Sequence, residues 1–483
     1  MRLSSSLIGE LPLSLLLLCL AAPSLAAPRV EHARVDGLHV PLRRRAAPER
    51  TAEWLQREKL KLETKYGSPA ARKRSSGYNM LVNQDTDSSY YGSIAVGTPA
   101  TAYDVILDTG SADLWLAASG CSSGCSSSIA TFDGTSSSTF SNLSSSFSIT
   151  YGSGVVNGYL VTDVVQMAGF EVSDQTFGAC PPMSSGLVDA PVSGLLGLAW
   201  QGLSSTGAKP FWQQLYESGV LDTAEMGFFL TRYLNVSRAS SLEQGGVFTL
   251  GATNTTLYTG SIAFQSLTQS DLYWTIALDS VVVGGGTVSM GSGSTNAVID
   301  TGTTLIGGPS TEVANIYAQI SGSQALSGSY NGYYSFPCST SVNVSMTFGG
   351  RAWSIAPADF NLGQLDSSTC IGAFFVFSSS STPLSRRASS SSSIAWIVGD
   401  TFLKNVYSVF RASPAAVGFA QLSDAALAMN GDTAASVPTP TIGAVSASVT
   451  GSSSSTRSNG ATRSAASALL LAAAAGLTAS ALL

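Results

Sequence analysis

Residues 105–111 read VILDTGS, and residues 297–303 repeat the pattern as AVIDTGT. Farther along the chain, each copy is followed by two apolar residues and a glycine. These are LLG at 195–197 and IVG at 397–399. Two copies of one strand-turn-strand plan predict two homologous lobes that face each other across a pseudo-two-fold axis. The sequence between residues 78 and 422 is rich in Val, Ile, Phe, Tyr, Thr and Ser and has few stretches with helical periodicity, which predicts a mainly β fold.

The repeated turns place two carboxylates where the lobes meet. Asp108 and Asp300 each follow a buried apolar approach, and the glycine two residues later allows a tight turn. Ionising both of two neighbouring carboxyls costs free energy because the like charges repel, so the two share a proton and titrate as a pair. One is then a base and the other an acid, which together can activate a water and protonate a carbonyl oxygen. A single Asp-Thr-Gly is more simply a β-turn aspartate, but the second copy argues against that interpretation.

Composition narrows the possible chemistry. Of the 483 residues only two are histidines, His32 and His39. If the N-terminal segment is removed, no histidine is left for a catalytic triad or a His-ligated metal site. We therefore expect no metal and no cofactor, and a net charge of −6 is too small to indicate a nucleic-acid partner.

The N-terminus has the layout of a secretory signal followed by a basic propeptide. Residues 1–26 begin with a basic residue, continue through LPLSLLLLCLAA and end in small residues. Residues 27–74 hold thirteen Lys or Arg against six Asp or Glu and end in the cluster Arg72-Lys73-Arg74. We expect a processing protease to cut after Arg74, although a solvated helical face would also explain these charges.

The C-terminus indicates membrane attachment. Residues 424–459 are rich in Ser, Thr, Ala and Gly, which predicts an unfolded stalk. Residues 460–483 fit a GPI-attachment signal, with Asn459 as the expected attachment residue and Gly451–Ser455 as the alternative. A tail-end transmembrane helix is the other explanation, but the final apolar run of sixteen residues is shorter than the roughly 20 that a bilayer requires.

The chain resembles the pepsin-like aspartic proteases. The matching stretches are GSIAVGTPATAYDVILDTGSADLW (92–115), ITYGSG (149–154), VSGLLGLAW (192–200), AVIDTGTTLI (297–306) and WIVGDTFLKNVYSVF (396–410). The resemblance implies a bilobal acid protease fold, with β-barrel-like lobes at 75–262 and 263–423 and the active-site cleft between them. It also implies an aspartic endopeptidase that acts on peptides and proteins, with Asp108 and Asp300 as the catalytic dyad.

The resemblance assigns roles to further residues of the two turns. Ser111 and Thr303 correspond to the hydroxyl partners of the outer dyad oxygens. Gly110 and Gly302 correspond to residues whose backbone meets substrate or water.

A hairpin tip corresponds to the flap of the family. By the resemblance, Tyr151 is the flap tyrosine, beside Gly152, and hydrogen-bonds toward Trp115. Closure of such a flap over the peptide would exclude water.

Cysteines and sequons fit a secreted chain. We expect disulfides between Cys121 and Cys125 and between Cys338 and Cys370, positions where the family also has them, and a buried, inert thiol at Cys180. The expected N-glycosylation sites are Asn142, Asn235, Asn254 and Asn343.

Together these features are similar to the fungal GPI-anchored proteases of the yapsin type, which implies a monomer at the plasma membrane or cell wall. The preference for basic or large apolar side chains at the cut stays open. The insert at 378–393 is a flexible surface loop or, at Arg386-Arg387, a second processing site. A peptide-binding or adhesion module without turnover is the competing function, and it would predict a damaged dyad or flap.

Overall fold

The structure, a computed structural model, describes residues 75–121, 123–377, 394–439 and 444–451. The expected signal peptide, propeptide, Arg386-Arg387 loop and attachment signal, including Asn459, lie outside these ranges. Among the helices of the described ranges, none is both long enough and apolar enough to cross a membrane.

The N-terminal half is built around a closed barrel. Its strands and helices are β1 (Gly77–Gln84), β2 (Ser89–Val96), β3 (Thr101–Asp108), β4 (Leu114–Ala117), β5 (Ser141–Tyr151), β6 (Gly154–Met167), β7 (Phe170–Cys180), β8 (Gly194–Gly197), β9 (Glu225–Leu230), β10 (Leu242–Leu250), α1 (Phe211–Ser218) and the 3-10 turns Gly134–Ser136 and Gln201–Leu203. The order β2-β3-β8-β4-β7-β6 closes on itself because β6 pairs back to β2. Alternate side chains then point inward, and Val105, Leu107 and Leu196 are buried in the core.

The C-terminal half contains three smaller sheets of its own. Its strands and helices are β11 (Tyr258–Ser266), β12 (Thr275–Ala277), β13 (Ser280–Val283), β14 (Gly286–Ser289), β15 (Asn296–Ile299), β16 (Ile306–Gly308), β17 (Gln324–Ala325), β18 (Tyr334–Pro337), β19 (Val344–Phe348), β20 (Arg351–Ile355), β21 (Asn361–Gln364), β22 (Thr369–Gly372), β23 (Phe374–Val376), β24 (Trp396–Val398), β25 (Val406–Ala412), β26 (Ala415–Leu422), α2 (Ser310–Ala318), α3 (Pro357–Phe360), α4 (Asp400–Leu403), α5 (Asp424–Ala428) and the 3-10 turn Gly328–Tyr330. The sheets have the orders β12-β15-β24-β16-β23, β14-β13-β19-β20 and β17-β18-β22-β21. Strands β11, β25 and β26 of this half belong to the sheet that it shares with the first half.

Both halves contain the same four-strand motif, as the repeated sequence pattern predicts. In the first half β3 runs parallel to β8, which runs antiparallel to β4, which is parallel to β7. In the second half β15, β24, β16 and β23 repeat that set of directions. The mainly β, bilobal expectation is confirmed, and the LLG and IVG motifs are the strands β8 and β24 that support each Asp-Thr-Gly turn.

A shared sheet joins the halves. The order β11-β26-β25-β9-β10-β1 is continuous, and β25 pairs with β9 through partners such as Ser408 and Phe228. The boundary expected between residues 262 and 263 falls inside β11. Strands β25 and β26, from the end of the second half, therefore lie in the same sheet as β1.

The segment 424–459, expected as an unfolded stalk, contains regular structure. Helix α5 begins at its first residue, and strand β27 (Ala447–Val449) pairs in parallel with β7. Ser423 caps α5 by accepting a hydrogen bond from the Ala426 N–H. The expectation is wrong for α5 and β27, because small residues with weak local preference can still pack closely against an existing sheet.

A buried ionic cluster links the halves beneath the cleft. Lys404 lies 2.7 Å from Asp87 of the first half and 3.1 Å from Asp359 of the second, and all three side chains are at most 3% exposed. Arg232 also pairs with Asp359, at 2.7 Å. Burial alone would raise the pKa of Asp87, but Lys404 and several hydrogen bonds outweigh burial and lower it. The cluster is stable only while every charge keeps its partner.

Replacing Lys404 with Met should therefore destabilise the protein by about 3 to 5 kcal/mol at neutral pH, since two buried carboxylates lose their shared cation. Urea unfolding followed by tryptophan fluorescence measures this. Lys209→Met is the matched control, because Lys209 pairs with Glu217 at the surface and its loss should cost less than about 1 kcal/mol. Equal losses for the two variants would contradict the assignment.

Candidate active site

Strands β3 and β15 bring Asp108 and Asp300 together. Asp108 ends β3 and Asp300 directly follows β15, and each carboxyl lies against the glycine of the other turn. A Cβ placed on Gly110 would lie 2.5 Å from the Asp300 carboxyl, and one placed on Gly302 would lie 2.4 Å from the carboxyl of Asp108. Each turn thus places its glycine in close contact with the aspartate of the other lobe, and a larger side chain at either glycine position would clash with that carboxyl.

The two carboxyls have matching hydrogen bonds. The Gly110 N–H donates to Asp108 Oδ1 at 2.7 Å, and the Ser111 hydroxyl donates to Oδ2 at 2.5 Å. The Gly302 N–H donates to Asp300 Oδ1 at 2.8 Å, and the Thr303 hydroxyl donates to Oδ2 at 2.7 Å. The glycine and hydroxyl positions singled out in the sequence therefore orient both carboxyls in the same way.

The middle residues of the two turns connect the lobes directly. The Thr109 N–H donates to the Thr301 hydroxyl oxygen at 3.1 Å, and the Thr301 N–H donates to the Thr109 hydroxyl oxygen at 3.0 Å. Each hydroxyl in turn donates across the interface, from Thr109 to the Ile299 carbonyl and from Thr301 to the Leu107 carbonyl. Sequence reasoning assigned these threonines no role, although threonine stands between Asp and Gly in both copies.

Burial and mutual repulsion control titration of the pair. Burial raises the pKa of Asp108 well above its usual range, and the neighbouring Asp300 raises it further. The hydrogen bonds from Ser111 and Gly110 act in the opposite direction, because they stabilise the ionised form. Asp108 consequently keeps its proton at pH values where an isolated aspartate has lost its own.

Tyr151 lies at the hairpin tip between β5 and β6. The Trp115 indole N–H donates to its phenolic oxygen at 3.0 Å. Burial raises the pKa of Tyr151, and nearby Asp108 raises it further, so the phenol stays neutral with its proton available. A Cβ added at Gly152 would meet no other atom within 4 Å, so the space beside the hairpin tip is open.

Two residues that the sequence analysis did not assign also lie near the dyad. Burial raises the pKa of Tyr273 to about 12, with Asp300 and Asp108 adding to it, and no local pattern signals this tyrosine. Asp400, in the quoted stretch at 396–410, is 2% exposed, and its N–H donates to the Thr303 carbonyl. Burial raises the pKa of Asp400 well above its usual range, although Lys404 opposes the shift.

The expected disulfides are present in the structure. Cys121 bonds to Cys125 and Cys338 bonds to Cys370, while Cys180 is free and buried and has a pKa raised by burial. Of the four sequon asparagines, Asn142, Asn235 and Asn343 are exposed, and Asn254 is half-buried.

Comparison with known proteins agrees with this geometry. Residues 89–422 match the family model described as eukaryotic aspartyl protease. The chain is 46% identical over 363 residues to major aspartyl peptidase 1 of Cryptococcus neoformans var. grubii, covering 73% of this chain and 72% of that protein. It is 33% identical to an aspartic protease of Phaffia rhodozyma, covering 79% and 88%, and 32% identical to pepsin A of Sus scrofa, covering 70% and 82%.

The match spans both Asp-Thr-Gly turns, the hairpin of Tyr151 and the strands β8 and β24. Each of these relatives is covered over more than two thirds of its length. The chain belongs to the eukaryotic aspartyl proteases of the pepsin-like type and is an aspartic-type endopeptidase.

Proposed function

We propose that this protein is a secreted, cell-surface endopeptidase whose catalytic groups are Asp108 and Asp300. The observation that carries the proposal is the matched pair of carboxyls, each held by its own glycine N–H and its own hydroxyl. With one proton shared between them, the pair supplies a base and an acid at the same pH.

In the proposed reaction, the ionised carboxylate takes a proton from a water held between the two aspartates. The water oxygen attacks the scissile carbonyl carbon while the protonated carboxyl donates its proton to the carbonyl oxygen. The resulting gem-diol is neutral. The carboxyl that took the water's proton then gives it to the leaving nitrogen, while the other carboxylate takes a hydroxyl proton from the gem-diol. The C–N bond breaks, and the dyad is again singly protonated.

The flap completes the proposed site. Because the Trp115 N–H donates to the Tyr151 oxygen, the phenolic proton is free to donate to a bound peptide. Closure of the hairpin over the substrate would exclude bulk water and strengthen the electrostatic effect of the dyad.

Replacing either Asp108 or Asp300 with Asn should lower kcat by about 10⁴-fold or more while the protein stays folded. Cleavage of a peptide library by matured enzyme, with circular dichroism of each variant, measures both effects. Asp222→Asn, at an exposed aspartate, is the control and should cut at the parent rate. Activity surviving in either dyad variant refutes the assignment, and binding of peptides without cleavage by the parent protein would favour the adhesion module.

Ser111→Ala should move the alkaline limb of the pH–activity profile to higher pH, by about one unit. The reason is that the Ser111 hydroxyl stabilises ionised Asp108, so its loss raises the pKa of that carboxyl further. The profile of kcat/KM from pH 3 to 8 measures the shift. Ser367→Ala, at an exposed serine, should leave both limbs in place, and an unchanged Ser111→Ala profile would contradict the role given to this hydrogen bond.

We further propose the processing and location that the chain ends indicate. The signal peptide is 1–26, the propeptide 27–74 is removed by cleavage after Arg74, and GPI attachment at Asn459 holds a monomer at the surface. Ser75 supports the cleavage site, since its N–H donates to the Val220 carbonyl and its own carbonyl accepts from residue 222.

Phosphatidylinositol-specific phospholipase C should release the protease from intact cells, and N-terminal sequencing of the released protein should read Ser75. A chain ending at Asn459 should instead appear directly in the medium. Protein that resists the lipase but dissolves in detergent would support the transmembrane helix and refute the GPI anchor.

A further inference from the structure

The last strand of the described chain, β27, pairs with the edge of β7. Strand β27 lies parallel to it with Ala447 opposite Phe170, Ser448 opposite Glu171 and Val449 opposite Val172. These tail residues lie beyond 89–422, the part matched by the family model. The pairing therefore involves a strand outside the part of the chain that the family model covers.

Polar contacts hold the beginning of this strand. The Ser446 N–H and hydroxyl both donate to the Gly169 carbonyl, at 2.7 and 2.9 Å. The Ser446 hydroxyl also lies 3.1 Å from that of Ser75, the residue that follows the proposed processing site. Further along, the Ser448 hydroxyl donates to the Glu171 carboxylate at 2.9 Å.

An apolar side chain holds its end. Val449 is 6% exposed and belongs to the same buried cluster as Phe170 and Val172. Gly451 approaches so closely that an added Cβ would lie 2.2 Å from the Asp174 carbonyl oxygen. Val445, by contrast, is 41% exposed. The alternation of outward serine and inward valine is that of a strand on a core.

We propose that the β7 edge at Phe170–Val172 is a docking site for the chain's own segment 444–451, and that docking anchors the tail close to the membrane attachment point. The anchoring role depends on the attachment at Asn459 proposed above. With the segment docked, only residues 452–459 connect the enzyme to the lipid, a span of at most about 28 Å. Undocked, the connection begins near Val437, which packs against buried side chains of the first half, and reaches about 77 Å.

A disulfide trap tests docking. Paired strands lie about 5 Å apart, within the range that a disulfide spans, so Ser448→Cys with Glu171→Cys should cross-link under mild oxidation. Non-reducing gels of the full mature chain measure the rate. Adding Val449→Asp should slow cross-linking at least tenfold, whereas Val445→Asp should not. No cross-link in the parent pair, or equal rates with Val449→Asp and Val445→Asp, would overturn the proposal.

A distance measurement tests the anchoring. The mature chain, ending at Asn459 and followed by a histidine tag, is bound to vesicles that contain nickel-chelating lipid and an acceptor dye. The donor dye is attached at Asp222→Cys, next to Ser75. Val449→Asp should lower energy transfer at least twofold and Val445→Asp should not; equal transfer in the two refutes anchoring. Cleavage of a soluble peptide should be the same in all these proteins, so a failure of docking is distinguishable from a failure of the proposed catalysis.

Discussion

Thr109 and Thr301 each donate a backbone N–H to the other's hydroxyl across the interface between the lobes, and the geometry of the active site depends on that exchange. It fixes two turns that belong to different halves of the chain. Because each threonine lies next to an aspartate, the same bonds set the separation of the two carboxyls. The water-activating role proposed for the pair requires that separation to be held to a fraction of an ångström, which rigid reciprocal bonds between buried groups provide.

Buried charge serves two opposite purposes in this protein. Around Lys404 the carboxylates of Asp87 and Asp359 each have a cation, which keeps Asp87 ionised and binds the two halves together. Among the described residues no cationic side chain pairs with Asp108, and burial beside a second carboxyl makes its ionisation costly. Asp400 lies between these regions and is influenced by both, since Lys404 lowers its pKa while burial and the dyad raise it. Compensated charge gives stability, and uncompensated charge gives a shared proton.

The tail shows how tertiary context can organise a sequence with little local preference. A run of Ser, Ala, Thr and Gly is typical of an unfolded stalk, and a three-residue strand such as β27 has no stability of its own. An open edge on β7 supplies hydrogen bonds, and a space beside Phe170 accepts Val449. The two ends of the described chain meet there, through Ser75 and Ser446.

The sequence by itself determined the mainly β class, the repeated lobe, the dyad and the hydroxyl and glycine neighbours, because each of these rests on residues within a few positions of a repeated motif. Tertiary structure alone decided that Thr109 contacts Thr301, that Lys404 neutralises Asp87 and that Tyr273 lies near the dyad. These partners are separated by tens to hundreds of residues, and only the folded chain brings them together. The docking of Val449 belongs to the same group, since its stability comes from a sheet edge and a core that lie far away in the sequence.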